Sequence, residues 1–587
     1  MARGPGETER RRFGLARPFD TLALGWLGIA AVLLCGVIFG LGLQNGITEA
    51  HFFKTQDMPV LAACFAIVVA LGAAPQRLFG RLRPSGRRGR LWLGLLTAAV
   101  FAAGAVGSRW LFGGYTLSLD EFLANFDARI FASGRLLATI PPAWRDFGSA
   151  MQPMYILPLP DDVWASEYLP VNAALRALAS KAGAEDLVNP LLSAVSIPLT
   201  YAVAGRLWPG ERRLALIAAA LLGTSAQLIL MSMTAYAMPG HLAFDLAWLW
   251  LFLRGGRLGH AGALATGFLA TGLHQLLFHP MFAAPFVLQL WLDRRWRLAA
   301  VYTAAYAAIG VFWIEYPALA MSLSHVAADP HAAAGGGRFL ERAMEALQGV
   351  NLGNFGLMAE GLVRFATWQN PLTAPLLCIG APAALLAKGH LRALLLGVVL
   401  TVVVMSVLVP SQTHGWGYRY LHGLLGSIAL IAAWTWRRLT AALAAPRRAM
   451  ADGAMALACA VSILGLVPVR AWQAWAFVRP YAAANAAVQG SGADVVIIDH
   501  ESSLLFDKGT LTRNDPFLAH GPKVMALADM DADLVRELCA QHLRVVMFTG
   551  ADAKRYGIDV MPWNGPTDVA QLRTLLAQLG CAQPMPR

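Results

Sequence analysis

The sequence predicts an all-α polytopic membrane protein of about 13 transmembrane helices with a small C-terminal α/β domain outside the membrane. Three observations predict it. Of 587 residues, 57% are hydrophobic and only 14% charged, where an ordinary soluble domain carries roughly 25%. Apolar stretches recur that approach or reach the roughly 20 residues a spanning helix needs. Arginine-rich connections alternate with arginine-poor ones, as cytoplasmic and outer loops do.

The chain starts with a basic segment, MARGPGETERRRFGLARPFD, which runs into a full-length span and shows no cleavable signal pattern. Spans are expected near 21–43, 58–74, 91–113, 186–206, 213–233, 240–254, 260–275, 276–292, 298–321, 371–387, 391–410, 419–436 and 451–470. The pair 260–292 reads as a bent hairpin, because its halves are short and HQLLFHP interrupts them.

Arginines set the orientation. RRRFGLAR, RLFGRLRPSGRRGR, WPGERR, RGGR, DRRWR, KGHLR and RR…PRR mark the cytoplasmic side. An odd number of spans then puts the N-terminus inside and the C-terminus outside. Loop 114–185, loop 322–370, segment 411–418 and the tail from 471 share the outer face. The net charge of +12 is accounted for by the inner loops and implies no nucleic acid.

Loop 114–185 is too long to be a connector alone. Phe122, Phe126 and Ile130 recur every four residues with Leu123 beside them, and Asp127, Arg129 and Arg135 are polar. This predicts a helix lying in the membrane interface. EYLPVNAALRALASKAG (Glu167 to Gly183) predicts a second. In the tail, ADVVIID and HLRVVMFTG read as buried strands, and DADLVRELCAQ and TDVAQLRTLLAQLG as helices with one apolar face. No glycine-rich dinucleotide motif follows the first strand. Cys35, Cys64, Cys378 and Cys459 fall in apolar runs and read as packing residues, whereas Cys539 and Cys581 lie in the tail and could pair outside an oxidising membrane.

Asp120-Glu121, in GGYTLSLDEFLANFDARIFASGRLLATIP, follows directly on an apolar run. Two readings stand. Acids in a helix's first turn are favoured by its dipole, with Ser118 as cap. At a bilayer boundary, burial also raises a carboxylate towards base-competent values. PSQTHGWGYRYLHG (Pro410 to Gly423) begins a span on the outer face. Arg419 there is expensive unless paired, and a lipid phosphate suits a guanidinium's two parallel bonds. The alternative is an aromatic belt of Trp416, Tyr418 and Tyr420, to which His414 and His422 add unneeded polarity. In GLHQLLFHP, His274 and His279 are five apart and share no helix face, which disfavours zinc; core histidines and phosphate contacts both remain. Asp161, Asp162 and Glu167 read as a solvated loop, or with Asp120 as a divalent-cation site. Asp245 and Glu315 read as structural. No Walker motif, HExxH, GxSxG or CxxC pair is present, which argues against an ATPase, a zinc protease and a serine hydrolase.

Over about residues 91 to 436 these features resemble the GT-C superfamily of polyprenyl-phosphate-dependent glycosyltransferases, with the protein O-mannosyltransferase and lipid A aminoarabinose transferase groups nearest. LDEFLANFDARIFASGRLL is similar to the family's acidic pair and helix, EYLPVNAALRALASKAG to its second loop helix, and YRYLHGLLGSIALIAAW to the arginine-tyrosine start of a late span. The resemblance implies a general-base or acceptor-orienting Asp120, supported by Glu121. It implies a donor-phosphate site at Arg419, with Tyr418, His414 and His274 beside it. No cofactor is required and a divalent metal is not supported. The implied reaction is inverting transfer of a sugar from a polyprenyl-phosphate donor to a lipid, glycan or protein acceptor outside a bacterial inner membrane. Two departures stand out. The acidic pair follows the third span instead of the first, so an additional helix pair precedes the module. Some members carry a lysine where this chain has His274. The expected division is therefore 1–90 (basic tail and added helix pair), 91–470 (transmembrane catalytic module) and 471–587 (C-terminal α/β domain). The rival reading is a transporter or lipid-linked sugar flippase, although no inverted repeat is visible.

Overall fold

The computed structural model describes residues 16–41, 47–73, 86–157, 159, 162–326, 341, 344–499, 508–560 and 567–586. The chain is a mostly helical, multi-pass membrane protein with a small C-terminal α/β region. Among the described residues, seven helices are long and apolar enough to cross a membrane, and two shorter apolar helices, Phe278–Leu292 and Thr373–Leu386, accompany them.

Helices α1 (Ala16–Leu41), α2 (Met58–Ala73) and α3 (Gly86–Trp110) come first. Loop 114–185 carries α4 (Leu119–Ala132) and α5 (Val171–Ser180), joined through the small antiparallel pair β1 (Ala138–Thr139) and β2 (Val163–Trp164). Next come α6 (Val188–Leu207), α7 (Arg212–Gly223) and α8 (Ala226–Met231). The span expected over 213–233 is broken between the last two. There Ser225 turns extended, and its hydroxyl accepts the Leu228 N–H at 3.2 Å, capping a new helix. The chain continues with α9 (Met238–Arg254), α10 (Gly256–Thr271), α11 (Phe278–Leu292) and α12 (Trp296–Ile314). The interrupted hairpin is the turn 272–277 between α10 and α11.

Helix α13 (Leu352–Thr367) lies where loop 322–370 was expected. Asn354, Glu360 and Arg364 lower its hydropathy, yet all three are buried. Then follow α14 (Thr373–Leu386), α15 (His390–Leu408), α16 (Leu425–Thr440), α17 (Ala445–Val461) and α18 (Val467–Gln489). The last two form one continuous helical rod of 45 residues. The expected end at 470 was the end of the apolar run; the helix itself persists because YAAANAAVQ is rich in alanine, the strongest helix former.

The C-terminal region is a four-stranded parallel sheet in the order β4-β3-β5-β6, made of β3 (Val495–Ile498), β4 (Lys523–Ala526), β5 (Val545–Phe548) and β6 (Ala582–Pro584). Helices α19 (Ala532–Ala540) and α20 (Thr567–Leu579) make two of the connections, as parallel strands require. Cys539 and Cys581 are joined in a disulfide.

This region is seated on loop 114–185. Leu123, Phe126 and Ile130 of α4 share one buried cluster with Val495, Ile497, Met525 and Val545. The Trp164 indole N–H donates to the Pro516 carbonyl at 2.6 Å, and Asn514 donates to that of Met151 at 2.9 Å. The apolar face of α4, expected to lie in lipid, is covered by the chain's own sheet. A hydrophobic stripe shows only that a face is buried; it cannot distinguish lipid from protein.

Candidate active site

Helix α4 begins with a capping box. The Ser118 hydroxyl accepts the Glu121 N–H at 3.2 Å, and the Glu121 carboxylate accepts the Ser118 N–H at 3.3 Å. The other Glu121 oxygen accepts the Ala235 N–H at 3.1 Å. Glu121 is therefore fastened to backbone by both oxygens.

Asp120 points elsewhere. Its Oδ1 accepts the Tyr168 hydroxyl at 2.6 Å. Its Oδ2 receives the Arg419 guanidinium and lies 3.7 Å from Nε2 of His274. The His274 ring stacks on Tyr168 at 4.1 Å. Backbone bonds of 2.9 Å from Leu169 to the His274 carbonyl and from Val171 to that of Gly272 fix the hairpin turn against the chain entering α5.

Arg419 opens a tight helical turn, Arg419–Leu424, ahead of α16. Gln412 shapes the approach: its Oε1 accepts the Arg419 N–H at 2.8 Å, and its Nε2 donates to the Gly417 carbonyl at 2.9 Å. Gly417 sits at φ +80°, and a Cβ there would run into Gln227, so only glycine fits. The guanidinium lies over the rings of Tyr236 and Tyr420 at 5.5 and 5.4 Å, in cation–π range. The Arg419 Nε and both ring nitrogens of His274 and of His414 are buried without hydrogen-bond partners among the described residues.

The adjacent acids are driven in opposite directions. Burial alone would raise the Asp120 carboxyl, but Arg419, then His274 and the Tyr168 hydroxyl, hold it below its ordinary value. Burial raises Glu121 to about 7 against the pull of its backbone donors.

Of the residues singled out from sequence, Asp120, Arg419 and His274 meet, and His414 is close enough to be acted on by the charges of Arg419 and Asp120. Glu121 faces backbone. Tyr418 points away: its hydroxyl donates to Met358 Sδ at 3.3 Å and its ring covers Gly361. Asp161 lies outside the described residues. Asp245 is buried in a separate chain of contacts, 2.6 Å from His279, which is 2.7 Å from the Tyr306 hydroxyl. Tyr168, Tyr236 and Tyr420 belong to the site and were not anticipated. Tyr168 adjoins Glu167 in a segment already noted, and Tyr420 adjoins Arg419, but nothing in TAYAM draws attention to Tyr236. Among the described residues, no three His, Cys, Asp or Glu side chains converge as metal ligands.

No family model and no curated protein matches the chain. Among solved structures, it is similar to the crystal structure of ArnT from Cupriavidus metallidurans bound to undecaprenyl phosphate. The identity is 13% and the TM-score 0.42, over 84% of this chain and 89% of that one. The apo-state structure of ArnT aligns at 12% identity and TM-score 0.33, with the same coverage.

Proposed function

We propose that the chain is a membrane glycosyltransferase of the GT-C type. It moves a sugar, with inversion, from a polyprenyl-phosphate donor to a hydroxyl-bearing lipid, glycan or protein at the outer face of a bacterial inner membrane. The observation that carries this reading is the buried Asp120–Arg419 pair, ringed by tyrosines and by donors without partners.

In the reaction, the acceptor oxygen attacks the anomeric carbon of the sugar. The bond from that carbon to the phosphate oxygen breaks, and its electron pair leaves on the lipid phosphate. Asp120 takes the acceptor's proton. Arg419 stabilises the charge growing on the phosphate, aided by His274 and His414. The pair also supplies a switch. While Arg419 is its partner, Asp120 is a weak base. A phosphate arriving at Arg419 takes over that partnership and leaves Asp120 with the Tyr168 hydrogen bond, so donor binding raises the basicity of Asp120 at the moment it is needed. Glu121 holds the helix end that aims Asp120.

Mass spectrometry of cell-envelope glycans tests the reading. Cells lacking the protein lose one sugar modification, wild-type protein restores it, and Asp120→Asn does not. A transporter or flippase would need no proton acceptor at Asp120, so full restoration by well-expressed Asp120→Asn would favour that rival.

A further inference from the structure

Four residues before Arg419, at Gly415, a second buried arginine reaches the same loop. Arg364, on α13, donates from Nε and Nη2 to the Gly415 carbonyl at 3.1 and 2.6 Å. From Nη1 it donates to Asp57 at 2.9 Å and to the Gln56 side chain at 3.4 Å. Asp57 precedes α2, in the helix pair ahead of the module. It is shared with Arg470 of α18, whose Nη2 lies 2.9 Å from its other oxygen. The Thr367 hydroxyl donates to that same oxygen at 2.9 Å. Both guanidiniums lie over the Trp368 ring, at 5.0 and 4.7 Å.

The charges do not balance. One carboxylate serves two guanidiniums, and no salt bridge joins the nearby Glu360 to either arginine among the described residues. Asp57 and Arg470 would form a neutral buried pair by themselves. A further buried cation carries a desolvation cost, and its bonds to the Gly415 carbonyl are what set Arg364 apart from Arg470. Of the two arginines, only Arg364 bonds the loop among the described residues: it holds Gly415 two residues before Gly417 and four before Arg419. The adjoining Trp416 stacks on Phe112 at 5.5 Å, and Gln412 holds the same loop from inside.

We infer that Arg364 is a positioning residue, which transmits the fixed position of Asp57 to the 412–419 loop and so aims Arg419. Its functional consequence rests on the proposed role of Arg419 as the donor-phosphate ligand. Arg470 is the internal control, because it has the same carboxylate, ring and burial but no bond to the loop.

The test uses full-length protein in lipid nanodiscs, comparing Arg364→Lys with Arg470→Lys. A lysine keeps the charge but loses the fork that bonds Asp57 and Gly415 together. Hydrogen exchange over 412–419 should quicken in Arg364→Lys and stay at the wild-type rate in Arg470→Lys. Affinity for undecaprenyl phosphate should fall about tenfold in the first and under about twofold in the second. If Arg364→Lys does not fold, Arg364→Gln replaces it, since Asp57 and Arg470 remain balanced; it too should quicken the loop. Unchanged exchange in the folded Arg364 variant, or equal quickening in both, overturns the inference. So does a loss of phosphate affinity in Arg419→Lys with none in the Arg364 variant. Quickened exchange with phosphate affinity unchanged in both the Arg364 variant and Arg419→Lys supports the positioning link and overturns the donor site instead.

Discussion

Two buried arginine–aspartate clusters flank the 411–419 loop, and they are finished differently. Around Asp57, every side-chain nitrogen of Arg364 is bonded, both carboxylate oxygens are taken, and a tryptophan ring lies beneath. Around Asp120, the Arg419 Nε and both ring nitrogens of His274 and of His414 are buried without partners among the described residues. Burying polar groups unpaired is costly. The first cluster also leaves the Arg470 Nε and the Trp368 indole nitrogen unpartnered among the described residues, but its one carboxylate is taken up by two guanidiniums, whereas at Asp120 the unpartnered nitrogens belong to one guanidinium and two imidazoles; this separates a joint from a socket. In the first, arginine and aspartate fix helices to one another. In the second, the same residue types wait for a third group.

The contrast is broken most decisively by removing the two carboxylates. Asp120→Asn should fold and retain polyprenyl-phosphate-sugar binding, yet transfer sugar at most about a hundredth as fast, because a positioned general base contributes roughly a hundred- to ten-thousand-fold. Asp57→Ala should do the reverse. It strands two buried guanidiniums, so it should cost about 3–5 kcal/mol of stability, seen as a large drop in thermal midpoint. If Asp57→Ala were mild and Asp120→Asn unfolded the protein, joint and socket would have been assigned the wrong way round.

A smaller effect is expected at the socket's cation. Arg419→Lys keeps the charge but loses the two-pronged geometry. Losing one charge-assisted bond costs about 1.5–3 kcal/mol, so donor affinity should fall roughly ten- to a hundred-fold. Isothermal titration with undecaprenyl phosphate measures it, and wild-type affinity would reduce Arg419 to a counter-ion for Asp120.

Smaller still is the effect at Glu121, where the prediction concerns pH. Its folded value of about 7 lies above its ordinary 4.5. Between those values the folded protein holds a proton that the unfolded chain has released, so stability falls as pH rises through that window. In Glu121→Gln that decline should vanish from the thermal midpoints, while transfer falls far less than in Asp120→Asn. A steep pH decline surviving in the variant would assign it to another group. The least effect is expected from Tyr418→Phe, which gives up only a hydroxyl contact to Met358. It should leave transfer unchanged and move stability within about 0.5 kcal/mol, as a thermal melt and a transfer assay would show.

Much of the architecture was legible because apolar runs report the membrane directly. The proximity of Asp120 and Arg419 could be anticipated from topology alone, since both were placed at the outer ends of spans. What failed to show had physical reasons. Helix α13 hides behind Arg364, Glu360 and Asn354, which are polar but buried inward. Strand β4 reads KVMA and runs on into Leu527 and Ala528, mostly helix-forming residues, and β6 is Ala-Gln-Pro, so neither shows the β-branched run of β3 or β5. Tyr418 and Tyr420 are alike in sequence, but the turn at 419–424 sends one towards Met358 and the other beneath Arg419. Tyr168 and Tyr236 reach the site only through long-range packing, which a single sequence does not encode locally. Helix α4 showed its stripe but not what covers it.

Whether Arg419 trades Asp120 for a lipid phosphate is decided by a cryo-electron-microscopy structure of the protein in nanodiscs with undecaprenyl phosphate. Phosphate density is expected within hydrogen-bonding distance of Arg419, beside His274 and His414, with Asp120 drawn off Arg419 and still bonded to Tyr168. Phosphate density elsewhere, with the Asp120–Arg419 pair intact, would contradict that trade.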